Sequence, residues 1–173
     1  MRVERFRYNR AIAQTVCPGQ FSPCVERPLG QAGERGSTVN TVETRGTRTR
    51  ENEIGTTIVE AAFRVHSRLG SGLLERVYSA CLAHELVLAD HTVRQEVSLP
   101  IRYGGVTLEN GYRIDLLIDD LVVIEVKAQE QVSPVHRSQL LSYLRLGGYG
   151  LGYLLNFNVT MMRDGVTRMV NGY

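Results

Sequence analysis

Lysine is nearly missing from this chain: of twenty basic residues nineteen are Arg and one is Lys, at position 127. A sequence that uses Arg almost wherever it wants positive charge points, by its one Lys, to a position where a compact, deprotonatable ammonium cannot give way to a planar guanidinium. Cysteine is scarce too. Cys17, Cys24 and Cys81 are odd in number, lack CxxC spacing and have no His beside the first pair, which argues against a disulfide framework and a zinc site. Cys81 sits among apolar helix positions, as a buried thiol does. No apolar run approaches the roughly 20 residues of a membrane span, and no secretory pattern follows the Arg-containing N-terminus, so a cytoplasmic protein with no membrane partner is expected.

A basic stripe is missing as well. Residues 1–50 hold nine Arg against four Glu, a net of +5, and residues 51–173 hold eleven basic against fourteen acidic residues, a net of −3, giving the chain's formal +2. The folded part is therefore poorly suited to gripping duplex DNA unaided through counterion release. Pro18, Pro23 and Pro28 interrupt any period in the first fifty residues, which are Arg, Thr and Gly rich and bury too little apolar surface to offset ordering entropy. A disordered Arg-rich tail over 1–50 is expected ahead of one folded domain over 51–173. The tail reads either as a solvated extension or as a basic arm for nucleic acid or a partner protein.

Helical periodicity begins at Asn52, with Ile54, Ile58, Ala61, Ala62, Val65 and Leu69 spaced by threes and fours and Gly70 as a left-handed cap. His66 borders that face and reads as a hydrogen-bonded core-edge residue. After Gly70, Ser71 and Gly72 a second helix is predicted over 73–89, its stripe formed by Leu74, Val77, Tyr78, Cys81, Leu82, Leu86 and Ala89. Glu75 falls along this stripe, where a carboxylate is costly unless a metal, hydroxyl or cation receives it. Its plainer role is a first-turn acid complementing the helix dipole.

Alternation over 92–103, a Gly104–Gly105 turn and Val106 to Leu108 predict strands. The stretch GYRIDLLIDDLVVIEVK, 111–127, then reads as a hairpin. One face carries Ile114, Leu116, Ile118, Val122, Ile124 and Val126; the other carries Asp115, Leu117, Val123, Glu125 and Lys127. A two-residue loop at Asp119 and Asp120 would send Asp115 and Glu125 to opposite faces, whereas a three-residue loop over 119–121, or a bulge, sets 115 opposite 125. Ser133 and Pro134 start a helix running past Leu140, Leu141 and Leu144 to Gly147 and Gly148, with Gln139 and Tyr143 on one face. The apolar strand over 149–157 calls for a right-handed crossover to a parallel position. Residues 159–162 and 166–170 are expected to close the chain as a hairpin around Asp164 and Gly165.

Two carboxylates and an ammonium on a half-apolar strand face need partners, since unpaired buried charge costs several kcal/mol. The bland outcome is a structural ion cluster. The sharper one is phosphodiester hydrolysis, because hard oxygen ligands favour Mg²⁺ or Mn²⁺ and octahedral coordination leaves positions for water and a phosphate oxygen. Lys127 would then orient the attacking water or stabilise charge on the pentavalent transition state.

Asp115 followed by Glu125, Val126 and Lys127, a preceding helix with Glu75 and a following helix with Gln139 and Tyr143 resemble the PD-(D/E)xK nuclease superfamily, in its branch with a QxxxY helix. More narrowly, Gly72, Glu75 and Tyr78 spell GxxExxY. Together with Val65, His66, Leu69 and Gly70, with Gly111, Tyr112 and Arg113, with Pro134, Val135 and His136, and with Asn156, Phe157 and Asn158, they resemble the GxxExxY protein family over about residues 52–171. One departure is Ile114 where the superfamily name has Pro. The resemblance implies an α/β fold with a restriction-endonuclease-like αβββαβ core, a mixed sheet flanked by helices, an extra N-terminal helix and a C-terminal hairpin. It implies Glu75, Asp115 and Glu125 around Mg²⁺ or Mn²⁺, with Asp115, Glu125, Lys127 and Gln139 catalytic. Nucleic acid is the implied substrate, delivered where needed by a protein partner. A non-catalytic nucleic-acid-binding or accessory module on the same fold is the alternative.

Overall fold

The structure, a computed structural model, describes residues 40–172; the tail expected over 1–50 lies outside the described residues as far as residue 39. Helix α1 (Asn40–Leu69) begins twelve residues ahead of the apolar period. Residues 46–50 are all exposed, so no buried stripe announces that stretch of the helix in the sequence. Gly70, at φ 69°, ends α1 by donating its N–H to the His66 carbonyl at 2.8 Å. Helix α2 (Glu75–Leu88) follows, then β1 (Val93–Tyr103), β2 (Val106–Ile118), β3 (Val122–Lys127), α3 (Pro134–Gly147), β4 (Leu151–Asn156), the single turn α4 (Met162–Gly165) and β5 (Val166–Val170).

The strands form one five-stranded sheet in chain order, antiparallel except for the parallel β3–β4 pair that α3 connects. Helices cover both faces of this mixed sheet. On one side Ile54, Ile58, Leu82 and Leu86 pack against Leu116, Val122, Ile124 and Leu155. On the other, Leu140, Tyr143 and Leu144 of α3 pack against Leu117, Val123 and Leu154. β3 and β4 are buried along their whole length, which explains why neither shows polar alternation. Among the described residues no helix is long and apolar enough to cross a membrane.

The β2–β3 loop has the three residues that the charge geometry required. Ile118 pairs with Val122 and Leu116 with Ile124, and the Leu121 N–H closes the loop on the Ile118 carbonyl at 2.9 Å. Asp119 and Asp120 take up left-handed φ of 50° and 56° there, a conformation Asp tolerates better than most residues. The α3 boundaries also match expectation: Ser133 caps it through a capping box with His136, Pro134 opens it, and Gly148 at φ 71° closes it.

Several expectations are corrected. Ile114 does not share a layer with Leu116 and Ile118; it joins Leu99, Leu117 and Val123 under α3. Opposite Asp115, Glu96 adopts φ 52° and drops out of the β1–β2 pairing, which breaks the pleat and turns the outer ends of both strands toward the other layer. Leu74 and Leu69 are 62% and 39% exposed rather than part of their helices' inner stripes, because Leu74 caps α2 from outside and Leu69 ends α1. Cys81 is half-buried, at the margin of the core.

Residues 159–162 form no strand. Met162 is drawn into the core at 3% exposure and the chain makes the α4 turn, so β5 returns to pair with β4 and the C-terminal hairpin is β4–β5. Gly165 is obligatory in that turn, since a Cβ built there would lie 2.0 Å from the Asn156 carbonyl oxygen, a backbone atom that cannot swing away. Gly165→Ala should therefore cost about 2 kcal/mol or more, with the urea midpoint as its measure. A midpoint within error of wild type would show that α4 tolerates the shift.

Candidate active site

β3 carries the charges. Glu125 and Lys127, two residues apart, point to the same side, and Lys127 Nζ donates to Glu125 Oε1 at 2.7 Å with only 8% and 2% of the two residues exposed. The β2–β3 ladder runs from Ile118 to Leu116 and stops. One residue further, Asp115 replaces the missing strand contact: its Oδ2 accepts the Val126 N–H at 2.9 Å. This contact holds Asp115 at the place its register with Glu125 assigns, where β2 parts from β3.

Glu75 reaches the site from the first turn of α2, with Oε1 3.9 Å from Lys127 Nζ and its side chain 43% exposed. Tyr78 governs that approach. Its hydroxyl donates to the Gly70 carbonyl at 2.7 Å and accepts the Leu73 N–H at 3.1 Å, while its ring stacks on Phe157 at 4.5 Å. Gln139 and Tyr143, one helical turn apart on α3, are hydrogen-bonded to each other through Nε2 and the phenol. The Tyr143 ring meets Tyr112 of β2 edge-on at 5.2 Å. His66 stays outside the site, bonded to the Val159 carbonyl at 2.9 Å.

The electrostatics follow from burial. Desolvation and the neighbouring Asp115 charge push the Glu125 carboxyl up to about 7, against the pull of Lys127. Burial also raises Asp115, although the Val126 N–H and the Lys127 charge oppose it. Burial alone would lower the Lys127 ammonium, but its hydrogen bond to Glu125 and the charges of Glu125, Glu75 and Asp115 outweigh that and hold it above its ordinary value. Tyr143 is raised by burial and by the charges of Glu125 and Asp115.

One atom is left over. Glu125 Oε2 is buried without a hydrogen-bond partner among the described residues, and an orphaned carboxylate oxygen costs more than most polar groups. A divalent cation fits there, because it would satisfy Oε2 and offset the repulsion between Asp115 and Glu125. Among the described residues, however, no three His, Cys, Asp or Glu side chains are grouped to cage a metal. Glu75 stands apart from the carboxylate pair, in contact with Lys127.

Two contributors escaped sequence reasoning. Asn156 is 3% exposed beside Lys127 in the β3–β4 register; it stood out only within a motif, not by its chemistry. Glu85 is buried and bridges α2 to α1 through Arg64 at 2.8 Å and Arg68 at 2.6 Å; an acid on a helix gives no sign of partners on another helix.

No curated protein and no solved structure matches the chain. The PD-(D/E)XK nuclease superfamily matches residues 52–169, from within α1 into β5, and so takes in Glu75, Asp115, Glu125, Lys127 and Gln139 together. With that match over more than half its length, and a mixed sheet flanked by helices of the restriction-endonuclease-like kind, the chain belongs to the PD-(D/E)XK nuclease superfamily.

Proposed function

We propose that this protein, as a GxxExxY-type member of its superfamily, is a metal-dependent nuclease that hydrolyses phosphodiester bonds of nucleic acid. The observation that carries the reading is the unpartnered Oε2 of Glu125, set beside Asp115 and followed by Lys127. Asp115 and Glu125 would hold Mg²⁺ or Mn²⁺, with Glu75 a third carboxylate at the margin. Bound there, the ion supplies a Lewis acid for a phosphoryl oxygen and lowers the pKa of water. Lys127 keeps its ammonium charged and presents donors to the oxygen that attacks or to the charge that builds on phosphorus. Tyr143, which feels the charges of Glu125 and Asp115, would bring its hydrogen-bond partner Gln139 to the α3 side of the site. Since the folded part is net acidic, delivery of the nucleic acid falls to a protein partner or to the basic N-terminal residues.

The test is thermal. Mg²⁺ or Mn²⁺ at about a hundred times its dissociation constant should stabilise the fold by roughly 2.7 kcal/mol, and Asp115→Asn should remove most of that. Equal metal-dependent shifts in both proteins would place the ion elsewhere. Cleavage of a panel of labelled DNA and RNA, single and double stranded, then separates the nuclease from a binding module, which would show the shift and no products.

A further inference from the structure

The Asn156 side chain is bonded entirely to main chain. Its Oδ1 accepts the N–H of Gln129 at 3.0 Å and of Asn158 at 3.3 Å, while Nδ2 donates to the Gln129 carbonyl at 2.8 Å. Pairing the N–H and the C=O of one residue is what a neighbouring strand does. Lys127 with Asn156 is the last pair of the β3–β4 ladder, and the Phe157 N–H adds a bond to the Lys127 carbonyl at 2.8 Å. The amide thus carries the ladder two residues past Lys127, where both strands have ended. Phe157 meanwhile stacks on Tyr78, which pins the loop that delivers Glu75. Lys127 lies between two carboxylates, Glu125 and Glu75, that belong to different elements. Where its ammonium falls between them depends on how firmly the end of β3 is held.

We infer that Asn156 is a positioning residue for Lys127: by clamping Gln129 it fixes the backbone from which the ammonium reaches Glu125 and Glu75. Without the clamp, residues 128 and 129, beyond the last ladder pair, have no strand partner among the described residues and the end of β3 opens locally. Only the catalytic consequence of this assignment rests on the nuclease reading. The placement of Lys127 can be measured without any activity.

Lys127 is the only lysine, so amine-selective acylation of the folded full-length protein, read by mass spectrometry, reports one side chain, with the N-terminal amine resolved in a separate peptide. In the wild type the ammonium is buried and bonded to Glu125, so acylation is slow. Asn156→Ala should raise the rate at Lys127 by about tenfold or more, because three bonds are lost. Gln129→Pro, at an exposed residue, removes the N–H that Asn156 accepts, keeps the carbonyl it donates to, and should raise it by about threefold. It remains informative if Asn156→Ala fails to fold. Ile58→Val, which loosens the core without touching any of the Asn156 bonds, should leave the rate unchanged. Wild-type acylation in Gln129→Pro, or an equal acceleration by Ile58→Val, overturns the assignment. Faster acylation in a protein that cuts no nucleic acid would keep the clamp and remove the nuclease reading, so the two fail separately.

Discussion

Lys127→Arg should leave the fold standing and lower the cleavage rate by about a hundredfold, the scale set by displacing a catalytic group by about 1 Å. The change preserves charge in a chain that otherwise uses Arg throughout, so composition gives no reason to expect harm. The geometry does. Lys127 Nζ sits 2.7 Å from Glu125 Oε1 and 3.9 Å from Glu75 Oε1, and little room surrounds a residue that is 8% exposed. A guanidinium is longer and planar, and its fixed fork would form a two-point contact with Glu125, taking up the oxygen a cation needs. An ammonium turns three donors freely and leaves Oε2 open. Because the position lies at the end of a strand, the stability loss should stay near about 1 kcal/mol. Cleavage rate and melting temperature measured side by side decide the matter. Wild-type cutting by the Arg protein would show that position 127 needs only positive charge.

Stability without metal should fall as pH rises from 5 to 8, the reverse of what carboxylates usually give. The folded protein holds the Glu125 proton up to about 7, whereas the unfolded chain releases it near 4.5. Across that interval the native state binds more protons, so the contribution of Glu125 is complete below 4.5 and lost as pH passes 7, on the order of 3 kcal/mol in all. Asp115, raised by burial, acts in the same direction. Glu85 and Asp119 do the opposite: partners hold both below their ordinary values, so they lose stability only as pH falls into the acid range, outside this window. A divalent ion held by Glu125 would reverse the trend by competing with its proton, so the Mg²⁺-dependent gain in melting temperature should grow from pH 5 to 8. Melting curves of wild type and Glu125→Gln with and without Mg²⁺ test both slopes. If Glu125→Gln kept the wild-type pH slope in the absence of metal, some other group would be responsible.

The sequence revealed the charged face of β3 and the loop that puts Asp115 opposite Glu125, because period-two alternation and the need to partner buried charge constrain each other. It revealed α3 equally well, since Ser133, Pro134 and Gly148 are local signals. What it hid was set at a distance. Nothing in Glu96 announces a positive φ, so the change of layer at Ile114 could not be read from alternation alone. Residues 46–50 of α1 are all exposed, so that stretch of helix is invisible to periodicity. Residues 159–162 look like a strand by composition, yet Met162 gains more from the core than the segment would from an exposed ladder. The convergence of Asp115, Glu125 and Lys127 was legible because seventeen consecutive residues, from 111 to 127, contain all three. The support from Asn156 and Tyr78 was not, because it crosses from β4 and α2.

Each strand pairs with the strand next to it in the chain, and that ordering bears on how the molecule assembles. Loop-closure entropy grows with the length of chain enclosed, and the pair that bears Asp115 and Glu125 closes across three residues. Both carboxylates therefore come into register in one of the first and least costly closures of folding. The rest of the site arrives later: Glu75, a third acid, and the Tyr78 that places it when α2 docks, Asn156 once α3 has crossed to lay down β4. During that interval the nascent hairpin holds two acids side by side with only Lys127, two residues along the same strand, to balance them. The lysine thus serves the folding chain before it serves the finished site.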